Sequence, residues 1–188
     1  MKRSLKIRAT LAGLILAAAA YGLYAGCGDF AGKGRSAITP TAFRSIAWGS
    51  TPSEAEARYP DLVFSGYALP AGDSEPSRIY VREREERELF GVTFDRVEYW
   101  FRGDRLHRVT AVLRDTVGPR TLRSRCEAAF DQASAAISGL YGKPAEDRQA
   151  GVIRYGRFES WRAGGMRIVL SRSMEGGDSE SLSLEFSR

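Results

Sequence analysis

Histidine occurs once in the 188 residues, at position 107, and cysteine twice, at 27 and 126. A single imidazole excludes every metal site built on two, and it leaves one histidine base for serine or cysteine catalysis. No Cys-x-x-Cys pair occurs, no glycine loop follows a strand and opens a helix as phosphate cradles do, and no serine sits in a nucleophile elbow. Lysine is scarce as well: beyond residue 26 only Lys33 and Lys143 occur, and the other basic residues are arginines. Long apolar runs are absent except for one, the uncharged span from Ala9 to Gly28 with "LAGLILAAAA" at its centre.

That span follows Lys2, Arg3, Lys6 and Arg8, and a basic start before an apolar centre is the pattern of an export signal. Residues 1–26 are therefore expected to be a signal peptide. Residues 27–40, "CGDFAGKGRSAITP", are too small and polar to order themselves and read as a flexible tether, with a folded domain over 41–188. The formal charge of +5 suggests an anionic partner until the basic residues are located. Four of them lie in the signal, leaving 28 − 4 = 24 Lys+Arg against 23 Asp+Glu. At that balance bulk charge gives no argument for nucleic acid, and no nucleic-acid partner is expected.

Within the domain, Phe43, Ile46 and Trp48 suit a short extended entry. Thr51, Pro52 and Glu54 then form a capping box with proline at the first helical position, and Pro60 stops the helix after about two turns. Sheet material follows as "DLVFSGY", "SRIYVRE" and "ELFGVTF", and then as a hairpin, "RVEYWFRGDRLHRVTAVLRD", turning at Gly103-Asp104. From Arg120 to Tyr141 apolar residues recur at spacings of three and four, from Leu122 through Cys126 and Phe130 to Ile137, so a second helix is expected there, ended by Gly142 and Pro144. Three or four strands close the chain, with period two at Met166, Ile168, Leu170 and at Leu182, Leu184, Phe186. The expected class is α+β: antiparallel sheet with two helices packed on one face. Two tandem αβββ-like modules, over 41–117 and 118–188, and one continuous sheet both satisfy the order of elements.

His107, counted from the hairpin turn, falls on the face of Val109 unless a bulge shifts the register, and reads as a half-buried strand histidine. No neighbouring motif sets a nucleophile or an orienting carboxylate beside it. The run Arg82 to Glu88 is charged on both faces of any strand and reads as a solvated hairpin end. Tyr99 and Phe101 point opposite to Trp100, which makes one side core and leaves Trp100, with Arg102 and Arg105, as the candidate binding surface. No acid/base pair, metal site or cofactor site is found, and no catalytic residue is assigned.

Cys126 lies in the apolar stripe of the second helix, where a buried thiol suits it better than a disulfide to Cys27 on a tether. Around Cys27, Ala25 and Gly26 resemble the small pair of a bacterial lipobox, with Tyr24 where that motif usually carries leucine. The resemblance implies lipidation at Cys27, with cleavage before it and an envelope location facing the periplasm, on either membrane. An uncleaved transmembrane anchor and ordinary signal cleavage remain as alternatives. The segment "WGSTPSEAEARYP", through Trp48, Gly49, Thr51, Glu54 and Ala55, resembles the small α+β modules of envelope lipoproteins of the SmpA/OmlA (BamE) type and of β-lactamase-inhibitor-like proteins. Those families are non-enzymatic and bind proteins. The expectation is thus a non-catalytic lipoprotein that binds the membrane through its anchor and another envelope protein through a sheet face or the hairpin. A lipid- or small-ligand-binding module is the alternative, and a hydrolase using His107 ranks below both.

Overall fold

In a computed structural model of the chain, residues 38–69, 74–116, 124–149, 156–176 and 179–188 are described. Cys27 and the expected signal lie outside these residues. Ile38, inside the span expected as tether, is buried and pairs with Phe43. A small meander follows, β1 (Ile38–Thr39), β2 (Ala42–Phe43) and β3 (Ile46–Ala47). The β2–β3 turn sets Arg44 and Ser45 at positive φ, the mirror-image geometry that suits hairpin twist.

Helix α1 (Pro52–Arg58) starts where its capping box predicts. The Thr51 hydroxyl accepts from the Glu54 N–H, and the Glu54 carboxylate accepts from the Thr51 N–H at 2.8 Å. Strands β4 (Leu62–Ala68) and β5 (Ser77–Arg82) come next, then a two-stranded ribbon of β6 (Glu88–Leu89) and β7 (Val92–Thr93). The stretch "ELFGVTF" is thus no strand of the main sheet, because Phe90 and Gly91 turn it back on itself at positive φ. The hairpin of β8 (Arg96–Arg102) and β9 (Arg105–Thr116) forms around Gly103-Asp104 as expected.

Helix α2 (Arg125–Tyr141) is capped by Ser124, so it starts five residues later than the apolar stripe suggested. Cys126, Ala129, Phe130, Ala133 and Ile137 form its buried stripe, and Gly142, at φ 83°, ends it. Four more strands complete the chain: β10 (Glu146–Gln149), β11 (Arg157–Ala163), β12 (Met166–Gly176) and β13 (Ser179–Ser187).

Eight strands pair antiparallel in one sheet, in the order β10-β11-β12-β13-β9-β8-β5-β4. The two C-terminal strands of the halves, β9 and β13, therefore meet in its middle. Period two puts Tyr99, Phe101, Val109, Leu113, Leu184 and Ile168 on the inner face, all buried. Phe43 packs edge-on to Tyr99 and against Phe186, and Phe90 stacks on Phe186, so both small sheets lie on that side. α2 lies there too: the Cys126 thiol approaches the carbonyls of Leu113 and Glu180, and Trp161 donates from its indole N–H to the Gly142 carbonyl. The class is α+β, rich in antiparallel sheet, with two helices among the described residues.

Charge also enters this core. Glu85, from the run expected to be solvated, is 2% exposed; its carboxylate pairs with Arg44, accepts from the Tyr99 hydroxyl at 2.8 Å and meets Arg82 at 3.4 Å. Arg82 in turn pairs with Asp61 and lies 3.7 Å from the centroid of the Tyr59 ring. The run is otherwise solvated as expected, with Glu83, Arg84, Glu86, Arg87 and Glu88 exposed; Glu85 departs from it because Arg44, distant in sequence, supplies the compensating charge. No described helix is long and apolar enough to cross a membrane.

Candidate functional site

The contacts named so far fall on the inner side of the large sheet; the outer side is built from the alternate residues of the same strands. Their cross-strand register sorts them into rows. The first runs Trp100, Arg108, Ser187, Arg167, Arg162 across β8, β9, β13, β12 and β11. Glu98, Thr110, Glu185, Val169, Ser160 and Glu146 form the second. A third holds Arg96, Val112, Ser183, Ser171 and Phe158, and a fourth Arg114, Ser181 and Ser173.

This arrangement has a physical consequence. Directly opposed residues stand about 5 Å apart, so the members of each row are neighbours across the sheet. Arginines dominate the first row and carboxylates the second, and the two are stitched diagonally by Arg108 to Glu185 at 3.6 Å and Arg167 to Glu146 at 3.8 Å. Serines fill the third and fourth rows over β12 and β13, with the Ser173 and Ser181 hydroxyls 3.1 Å apart. Side chains this short keep the centre of the face low, and their hydroxyls can donate or accept. Together with Arg102, placed on this side by alternation, six arginines (96, 102, 108, 114, 162, 167) face three glutamates (98, 146, 185).

Trp100 lies where the sequence put it, on the side away from buried Tyr99 and Phe101. Its indole N–H donates to Glu98 at 3.2 Å, and the Arg108 guanidinium sits 5.5 Å from the ring centroid. Arg102 shares that strand and face. Arg105 differs: its guanidinium donates to the Gly49 carbonyl at 3.0 Å and holds the segment before α1 against the hairpin tip. The expected surface of Trp100, Arg102 and Arg105 is therefore divided, two residues on the outer face and one in a structural bond.

His107 is the extra residue of a bulge, since Trp100 pairs with Arg108 while Phe101 pairs with Leu106. The register shift turns it away from the face of Val109, and its Nε2 lies 3.0 Å from the Ser77 hydroxyl. Ser77 has no exposed surface, so its hydroxyl is not presented to a substrate, while His107 is half-buried as expected. At the far end of the sheet a depression of about 240 Å³ is lined by Asp95, Arg96, Val112 and Arg114. Asp95 is already occupied there, accepting from the Arg114 N–H at 2.7 Å.

Sequence reading missed the serine floor and the arginine row, although "SLSLEFS" and "MRIVLSRS" show serine at most positions that alternate with the apolar ones. Comparison with known proteins adds nothing to this geometry: no protein-family model, curated protein or solved structure matches the chain.

Proposed function

We propose that the chain is a non-catalytic lipoprotein of the bacterial envelope, lipidated at Cys27, which binds another envelope protein across the outer face of its large sheet. One observation carries this reading. The inner face of the sheet meets α2 and both small sheets, while the outer face combines a low serine floor, a half-buried Trp100 and ordered rows of opposite charge. Such a mixture of an aromatic anchor, arginines and small polar groups is what protein interfaces use.

The same reading treats the fold as two units, α1 with β4, β5, β8 and β9, and α2 with β10 to β13, joined through β9 and β13 and carrying both helices on one side. The order of strands supports it. The glycine turns do not, for Gly103-Asp104 joins the third and fourth strands of its unit and Gly164-Gly165 the second and third. Each unit thus has four strands in the large sheet, one more than the αβββ pattern.

Two measurements test the proposal. Mass spectrometry of the membrane fraction should find an acylated N-terminal cysteine at residue 27; an intact N-terminus or an unmodified Cys27 contradicts the anchor. Cross-linked capture from membranes should recover a defined partner whose yield falls about tenfold for Trp100→Ala with Arg102→Ala. Equal recovery by the variant contradicts the assignment of the face.

A further inference from the structure

The β8–β9 turn, the β11–β12 turn and the last residues of β13 lie at one end of the large sheet, because Arg108 pairs with Ser187 and Ser187 with Arg167. Both turns carry arginines directly opposed across their strands, Arg102 with Arg105 and Arg162 with Arg167. Like charges so placed repel, and the exposed Arg162 makes no ion pair among the described residues. Acidic groups near this end are already engaged: Asp104 pairs with Arg78, Glu185 with Arg108 and Glu146 with Arg167.

The first described residues also lie at this end. The Pro40 ring sits directly on Gly164, where a β-carbon would come within 2.6 Å of it. Gly49 and Ser50 exchange backbone hydrogen bonds with Leu106, each 2.9 Å, at the other turn. From Cys27 to Ile38 there are 38 − 27 = 11 residue steps, which reach at most about 40 Å when fully extended.

We propose that this basic end of the sheet docks on the anionic headgroups of the membrane that carries the chain. The proposal rests on the reading of Cys27 as the lipidation site, since eleven residue steps confine this end to within about 40 Å of a lipid carried there. Arginines within about 10 Å of a negatively charged surface gain from its potential, and two arginines at directly opposed strand positions, such as Arg162 and Arg167, can both reach one phosphate. Standing on this end, the strands run away from the membrane, and the outer face points sideways toward a neighbouring envelope protein.

The test uses the full chain reconstituted through its own N-terminus into vesicles of phosphatidylcholine alone or with 30% phosphatidylglycerol, read by hydrogen exchange. Amides of residues 101–106 and 162–167 should exchange more slowly on the anionic vesicles only, and 0.5 M salt should erase the difference. Arg162→Gln with Arg167→Gln should lower the ratio of docked to undocked molecules about 20-fold while exchange in β9 and β13 stays unchanged. Should that variant not fold, the salt arm on the unaltered chain decides. Equal exchange on both vesicles overturns the proposal. So does protection that appears on neither lipid but follows addition of polyglutamate, which would make an acidic protein the partner. The contrast compares two lipid compositions for one N-terminus, so an unmodified Cys27 by mass would sink the anchor without changing what the contrast says.

Discussion

Glu85 is held inside the core by three partners, and removing it leaves Arg44 buried without its counter-charge. Glu85→Ala should therefore lower the unfolding free energy by about 3 kcal/mol, measured by urea titration. Two neutral groups make stability fall at high pH. Burial pushes the Tyr99 phenol up to about 12 in spite of Arg44 and Arg82 nearby, and burial, with Glu180 adding to it, pushes the Cys126 thiol from 9.0 to about 12. Both folded values lie above the unfolded ones, so their contributions are complete below pH 9 and are lost as pH rises toward 12. Tyr99 alone accounts for about 2–3 kcal/mol of that loss above pH 10, and Cys126→Ala should remove the part that begins near pH 9. Cys126 should also resist thiol reagents at pH 8 until the protein unfolds. That thiol was legible from its helical spacing, whereas burial of Glu85 was not, because its partners Arg44 and Tyr99 lie 41 and 14 residues away.

Among the elements, the N-cap of α1 was legible because it is made by neighbours three residues apart, whereas the Ser124 cap of α2 was not read; Thr51→Ala should cost about 1 kcal/mol in the unfolding free energy. β10 was not legible. Glu-Asp-Arg-Gln has no apolar alternation, and it is a strand because β11 offers a free edge to pair with. The exposed Glu146 puts a charge on that edge of the sheet, whereas β4 at the other edge is uncharged and exposes Phe64 and Tyr67. Gly164 takes φ 57° with the Pro40 ring against it, so Gly164→Ala both strains the turn and strikes that ring. A loss of about 2 kcal/mol is expected, visible as a lower melting temperature.

At the scale of the whole molecule, the strand order joins residues that sequence patterns leave unrelated. Alternation alone told that Ser181, Ser183, Ser171 and Ser173 face away from the core, but only the pairing of β9 with β13 and β12 sets them in one floor beside Arg108 and Arg167. The central claim is that this floor receives another protein. A photo-cross-linking amino acid at Ser171, in cells, tests it directly against the same group at Glu56, an exposed position on α1. The account predicts a discrete adduct of one partner from Ser171 and none from Glu56; adducts of equal yield from both positions, or none from Ser171, would contradict it.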